Sequence, residues 1–213
     1  MKEMNYLEEL LERYPQLAPL KEELKAAYEL LAECFERGGK LLVAGNGGSC
    51  ADSEHIAGEL MKGFVKKRPV SPEFAEALQE ADPVRGPRLA ECLQGGLPTI
   101  ALTGHTGLST AFSNDVNGDM VFAQQLYGYG KKGDVFLGIS TSGNSKNVLY
   151  AAAAARAMGL KVIGLTGRDG GELKAFCDTA LVVPERETFK IQELHLPVYH
   201  CLCLMLEEHF YEE

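Results

Sequence analysis

The six cysteines of this 213-residue chain include no CxxC pair, and Cys201 and Cys203, two apart in a predicted helix, diverge. Reduced, mostly buried thiols follow, which speaks against a disulfide framework. No apolar stretch approaches the length needed to cross a bilayer. The opening "MKEMNYLEELLERY" is acidic and amphipathic, wrong for a signal peptide, so a cytoplasmic location is expected. Positive charge is also in short supply: 21 Lys and Arg stand against 30 Asp and Glu, a net charge of −9. Such a surface has no electrostatic footprint for nucleic acid or an anionic membrane, so any anionic ligand must be held by a local feature. The basic run "KKR" at Lys66–Arg68 reads as a solvated loop face. Finally, no GK[ST] occurs, and Gly45–Gly47 lacks the third glycine of G-x-G-x-x-G, which excludes a Walker loop and a dinucleotide fingerprint.

What is present is an alternation. Two amphipathic helices are predicted, near Met4–Arg13 and Leu17–Arg37, separated by Pro15 and Pro19 and stopped by Gly38–Gly39. Five short apolar runs follow: "KLLVAG" (40–45), "PTIALTG" (98–104), "DVFLGIS" (134–140), "KVIGLTG" (161–167) and "TALVVP" (179–184). The middle runs are nearly continuous in apolar residues, as strands buried on both faces are. Helical patterns over Asp52–Phe64, Ser109–Gly128 and Asn147–Met158 lie between them, which implies a five-stranded parallel sheet with helices on both faces. A long apolar helix, Thr188–Tyr211, closes the chain and should kink at Pro197. Residues 65–97 break the pattern as a long polar connection with room for two short helices. Connections of that length are usually functional or mobile.

Two loops are suited to an anion. "GNGGS", Gly45–Ser49, leads from a strand straight into a helix, leaving unpaired N–H groups at its amino end, and glycines let a ligand approach closely. "GISTSGNSKN", residues 138–147, repeats the arrangement with the hydroxyls of Ser140, Thr141, Ser142 and Ser145. Each alone is a weak signal. Two in one sheet, both at strand carboxyl ends, point to a ligand there. His55 and Glu59, one helical turn apart, share a face just beyond the first loop. The last helix carries "KIQELHLPVYH", with Gln192, His195 and His200 among apolar neighbours; one of its two histidines is expected to be structural.

The stretches "AGNGGSCADSEHIAGEL", "FSND", "GDVFLGISTSGNSKNV", "KVIGLTGRDGGEL" and "IQELHLPVYH" resemble, in order, the sugar isomerase (SIS) fold and within it the phosphoheptose isomerases. The resemblance implies a single SIS domain over residues 1–213, a three-layer α/β sandwich with N-terminal helices (1–39) and a helical insert (about 65–97). It implies a homotetramer that interconverts sedoheptulose 7-phosphate and D-glycero-D-manno-heptose 7-phosphate through an enediolate. Substrate would be held by Asn46, Gly47, Gly48 and Ser49, by Ser140, Thr141, Ser142 and Ser145, and by Asp115 and Gln192. Glu59 and His200 match the catalytic pair. One metal ion per site, usually zinc, would be bound by the positions matching His55, Glu59, Gln192 and His200. The 65–97 connection is longer than in typical members and could roof or extend the pocket. Two other readings remain open at this point: a non-catalytic SIS domain that only binds a phosphosugar, and an isomerase of another sugar phosphate.

Overall fold

The computed structural model describes residues 2–211. Helix α1 (Glu3–Arg13), a 3-10 turn (Pro15–Leu20) and α2 (Lys21–Glu36) come first. The second helix starts at Lys21 and not at Leu17, because Pro19 cannot donate inside an α-helix and the tighter turn accommodates it. Then follow β1 (Leu41–Gly45), α3 (Gly48–Met61), α4 (Pro72–Ala81), α5 (Gly86–Cys92), β2 (Thr99–Ala101), α6 (Thr106–Phe112) and α7 (Val121–Tyr129). The chain continues through β3 (Val135–Ser140), α8 (Lys146–Ala157), β4 (Lys161–Thr166), a 3-10 turn (Glu172–Phe176), β5 (Thr179–Val182) and α9 (Thr188–Phe210).

The five strands pair in the order β2-β1-β3-β4-β5, all parallel. Strand side chains alternate between the two faces. Val43, Leu137 and Ile163 meet Leu24 and Leu31 of α2, Ile56 of α3, and Leu202 and Leu206 of α9 on one side. On the other, Leu42, Phe136 and Val162 pack against Leu126 of α7 and Val148, Ala151 and Ala152 of α8. The alanine block therefore lets α8 lie close against the sheet. Helix α9 is buried around most of its circumference, from Ile191 to Glu207, as expected of a helix inside a core. It runs unbroken past Pro197.

Three expectations need correction. The helix predicted over Ser109–Gly128 is broken: a π turn (Ser113–Asn117) and a 3-10 turn (Gly118–Met120) separate α6 from α7. Side-chain competition explains the break. The Ser113 hydroxyl donates to the Ser109 carbonyl at 2.6 Å, and the Asn117 side chain accepts from the Asp119 N–H at 2.9 Å. Helix α3 begins at Gly48, directly from the glycine turn, and stops at Met61. Most consequential, "KKR" is no solvated face. Only Lys67 is exposed; Arg68 is 1% exposed, and Lys66 Nζ pairs with Glu208 at 2.8 Å in a nearly closed site.

The 65–97 segment forms a helical hairpin. Ser71 caps α4 by accepting from the Phe74 N–H at 3.2 Å, with Pro72 opening the helix. An antiparallel bridge, Pro69 to Gln94, closes its base. All six thiols are free; Cys34, Cys201 and Cys203 are buried, Cys50 and Cys177 half-buried and Cys92 exposed. Among the described residues no helix is long and apolar enough to cross a membrane.

Candidate active site

The strand order reverses between β1 and β3, so the loops that follow these two strands flank a switch point, where open parallel sheets bind ligands. In the first loop Gly47 sits at φ 57°, a left-handed conformation that glycine adopts without strain. A side chain on Gly48 would collide with the Gln192 amide, which lies directly on its backbone. Helix α3 thus begins with no side chain of its own at Gly47 and Gly48, and the Gln192 amide lies against its first turn. Asn46 and Asn147 join the two loops by reciprocal hydrogen bonds, each side-chain amide N–H donating to the other's Oδ1 at 2.9 and 2.8 Å. In the second loop Ser140 Oγ lies 3.0 Å from Ser145 Oγ, and Ser142 Oγ accepts from the Asn144 N–H at 3.2 Å. A cleft of about 280 Å³ opens here, lined by Asn46, Gly47, Cys50, Thr103, Phe122 and Asn147 among others. Ser49 is buried and does not line the cleft. Asp115 lies in the exposed turn between Ser109 and Gly118, two residues that line the cleft. Its Oδ1 accepts from the Asn114 amide at 2.9 Å.

The other end of α3 carries the titratable groups. His55 Nε2 lies 3.3 Å from Glu59 Oε1, and Lys62 Nζ lies 2.7 Å from Glu59 Oε2. Helix α9 runs alongside. The Tyr199 hydroxyl donates to Asp52 Oδ1 at 3.2 Å and lies 3.0 Å from His55 Nδ1. Since its single proton is committed to Asp52, Tyr199 accepts from His55 Nδ1–H. That leaves Nε2 as the nitrogen turned toward Glu59. Burial pushes the Asp52 carboxyl above its usual range, partly offset by the Tyr199 bond and by His55. His200 stands edge-on to His55, ring centroids 4.9 Å apart, and its buried Nε2 has no protein partner. Burial, then the neighbouring His55, push the His200 imidazole below its ordinary value, with Glu59 opposing. It is therefore neutral near neutral pH. The same ring borders a hollow of about 210 Å³ between α1 and α9, beside Tyr6, Glu9, Arg13 and Phe64.

The structure separates the two histidines of α9. His195 is fully buried and donates from Nε2 to the Thr166 carbonyl at 3.2 Å, and burial drives it down to about 4. It is the structural one. His55, Glu59 and His200 come together, whereas Gln192 lies against Gly48, two turns or about 12 Å along α9 from His200. Donor types therefore suit a divalent ion: the His55 Nε2, a carboxylate oxygen of Glu59 and the orphaned His200 Nε2. Among the described residues no three such side chains already converge on one point. Sequence reasoning passed over Asp52, Tyr199 and Asn147. Asp52 stands three residues before His55, on the same helical face, and that spacing was available as a signal. Nothing local marked Tyr199 or Asn147, since their partners are more than a hundred positions away.

Residues 5–90 and 89–167 match the SIS domain family, and the chain belongs to it. It is 40% identical over 206 residues to a phosphoheptose isomerase of a Nitratiruptor species, spanning 95% of this chain and 96% of that one. To a phosphoheptose isomerase of Helicobacter pylori it is 41% identical over 194 residues, 91% and 88% of the two chains. The solved phosphoheptose isomerase of Neisseria gonorrhoeae superposes with a TM-score of 0.72 at 34% identity, over 97% of this chain and 94% of the other. That of Francisella tularensis gives 0.73 at 31% identity, over 96% and 95%. Within the SIS proteins, this chain is a member of the phosphoheptose isomerase family.

Proposed function

We propose that this chain is the isomerase that interconverts sedoheptulose 7-phosphate and D-glycero-D-manno-heptose 7-phosphate in the cytoplasm. What supports the assignment is one helix, α3, with a phosphate cradle at its amino end and a carboxylate–imidazole cluster near its carboxyl end. The phosphate is taken by the hydroxyls of Ser140, Thr141, Ser142 and Ser145 and by the amide groups of Asn46–Ser49. Gln192 belongs with this cradle by its contact with Gly48. Asp115, at the rim, faces the sugar.

The isomerisation needs a base to take a proton from one carbon and an acid to return it to the neighbour. Glu59 and His200 fill these roles, and each such group contributes about 10²–10⁴-fold. His200 can accept the proton as neutral imidazole and, once protonated, return it to the neighbouring carbon. His55, oriented by Tyr199, keeps its Nε2 turned toward the Glu59 carboxylate, where a cation between them would join both. Gln192, expected as a fourth metal ligand, lies at Gly48, about 12 Å along α9 from His200, and stays with the cradle. A single divalent ion, zinc by preference, would be held by His55, Glu59 and His200. Bound there, it would polarise the carbonyl and steady the two oxygens of the enediolate.

Eleven residues, about 16 Å of helix axis, separate Gly48 from Glu59. That exceeds the extended carbon chain of a heptose. The separation favours a homotetramer in which the cradle of one chain faces the acid–base cluster of another. Light scattering should then give a particle of four chains; the 23.2 kDa of one chain would count against it. Co-expressing Glu59→Gln chains with Ser142→Ala/Ser145→Ala chains should restore, at substrate well below the raised KM of the latter, activity that neither has alone. No recovery would mean that each chain holds a complete site.

Solvent-deuterium incorporation into a panel of ketose phosphates, followed by NMR, tests the reaction itself. Binding without exchange across the panel would leave a phosphosugar-binding protein instead. Elemental analysis of protein purified without chelator should find about one zinc per chain, and unchanged metal content in His55→Ala would refute the ligand set.

A further inference from the structure

Helix α3 ends at Met61, two residues after Glu59, and its last carbonyls have no partner within the helix. A glycine cap satisfies them on many helices. Here a buried cation does it instead. The Arg68 guanidinium donates from Nη1 to the Leu60 carbonyl at 2.8 Å and from Nη2 to the Glu59 carbonyl at 3.3 Å. Its Nε donates to Glu207 Oε1 at 2.9 Å, and its plane lies 4.5 Å from the centre of the Tyr211 ring. Both side chains of the pair are 0–1% exposed. Glu207 also collects the N–H groups of Phe64, Val65 and Lys66 at 2.8, 2.9 and 3.2 Å. The turn that leaves α3 is thus wrapped around one carboxylate. Both strands of the insert's base are tied to the same place, through Leu97 N–H to the Leu60 carbonyl and Gly95 N–H to the Arg68 carbonyl.

Stability alone is a poor reason to bury such a pair, because desolvating two charges costs about what their attraction returns. The arrangement has a more specific consequence. It grips the backbone carbonyl of Glu59 itself, while the carboxylate is left to His55 and Lys62. We propose that Arg68 and Glu207 are positioning residues for proton transfer, holding the last turn of α3 so that Glu59 meets the reacting carbons in register. This rests on the assignment of Glu59 as an acid–base group.

Two variants separate positioning from folding. Arg68→Lys keeps the charge but cannot span both carbonyls, and Arg68→Met/Glu207→Gln removes both charges while leaving an acceptor for the turn. A shift of the order of 1 Å at a catalytic group costs about 10²-fold, so kcat should fall by about 10- to 100-fold in either variant. The KM and the inhibition constant of inorganic phosphate should stay within about two-fold, since the cradle is at the far end of α3. Amide exchange should accelerate in residues 58–62 and not in residues 48–52. A folded Arg68→Lys with wild-type kcat, or one in which phosphate affinity falls together with kcat, would overturn the proposal. Should Arg68→Lys fail to fold, the double variant decides by the same readouts. If the wild type turns over no sugar phosphate, the isomerase assignment is what fails. Exchange at the two ends of α3 then decides the clamp alone: unchanged protection in residues 58–62 overturns it.

Discussion

The two ends of α3 solve opposite problems with opposite materials. The amino end is open and made of backbone: glycines, N–H groups and, across the Asn46–Asn147 bridge, small hydroxyls. The carboxyl end is made of side chains: an exposed His55, the half-buried Glu59 and His200, and, tied to the same turn, a fully buried Arg68–Glu207 pair. A phosphate carries its own charge and needs only donors that arrive already aligned. A proton transfer needs one carboxylate in one place, and a long side chain stays in place only if its backbone does.

The sharpest break in this contrast is expected from Glu59→Gln, which keeps shape and hydrogen bonding but removes the base. Turnover should fall about 10²–10⁴-fold, with sugar-phosphate binding by calorimetry unchanged. A comparable loss of binding would show that the two ends are not separable.

The next effect concerns the histidine that belongs to neither end. His195 is held neutral, its value lowered from 6.5 to about 4 by burial. Between those values the unfolded chain takes up a proton that the folded chain refuses. Its contribution is therefore intact above pH 6.5 and is lost as the pH falls toward 4, by about 3 kcal/mol in all. Urea unfolding should show that acid-side loss in the wild type and a flatter profile in His195→Asn, which can still donate to the Thr166 carbonyl. Equal slopes would mean that His195 is not the group responsible.

At the amino end, Ser142→Ala/Ser145→Ala removes donors to a charged ligand, worth about 1.5–3 kcal/mol each at most. The KM should rise by about 10- to 100-fold, kcat should hold within a few-fold, and inorganic phosphate should lose its competition with substrate. Smallest of all should be Tyr199→Phe, which frees His55 Nδ1 without touching Glu59. A loss of about ten-fold in zinc affinity, measured by chelator competition, is expected. Unaltered affinity would place Tyr199 outside the site.

Much was legible in the chain itself. The five apolar runs are the five strands, and the glycine turns sit where the sheet reverses, because strand burial and tight turns follow from local pattern and backbone sterics. His55 and Glu59 share a face because a helix has 3.6 residues per turn. Tertiary structure decided the rest. Which histidine of α9 lies in the core depends on where β4 ends, and a helix pattern carries no such information. "KKR" reads as surface because an unpaired buried arginine would be prohibitive. Arg68 is buried only because Glu207, 139 positions away, meets it there. Local pattern weighs each charge against water, and only the assembled fold can supply the partner that replaces it.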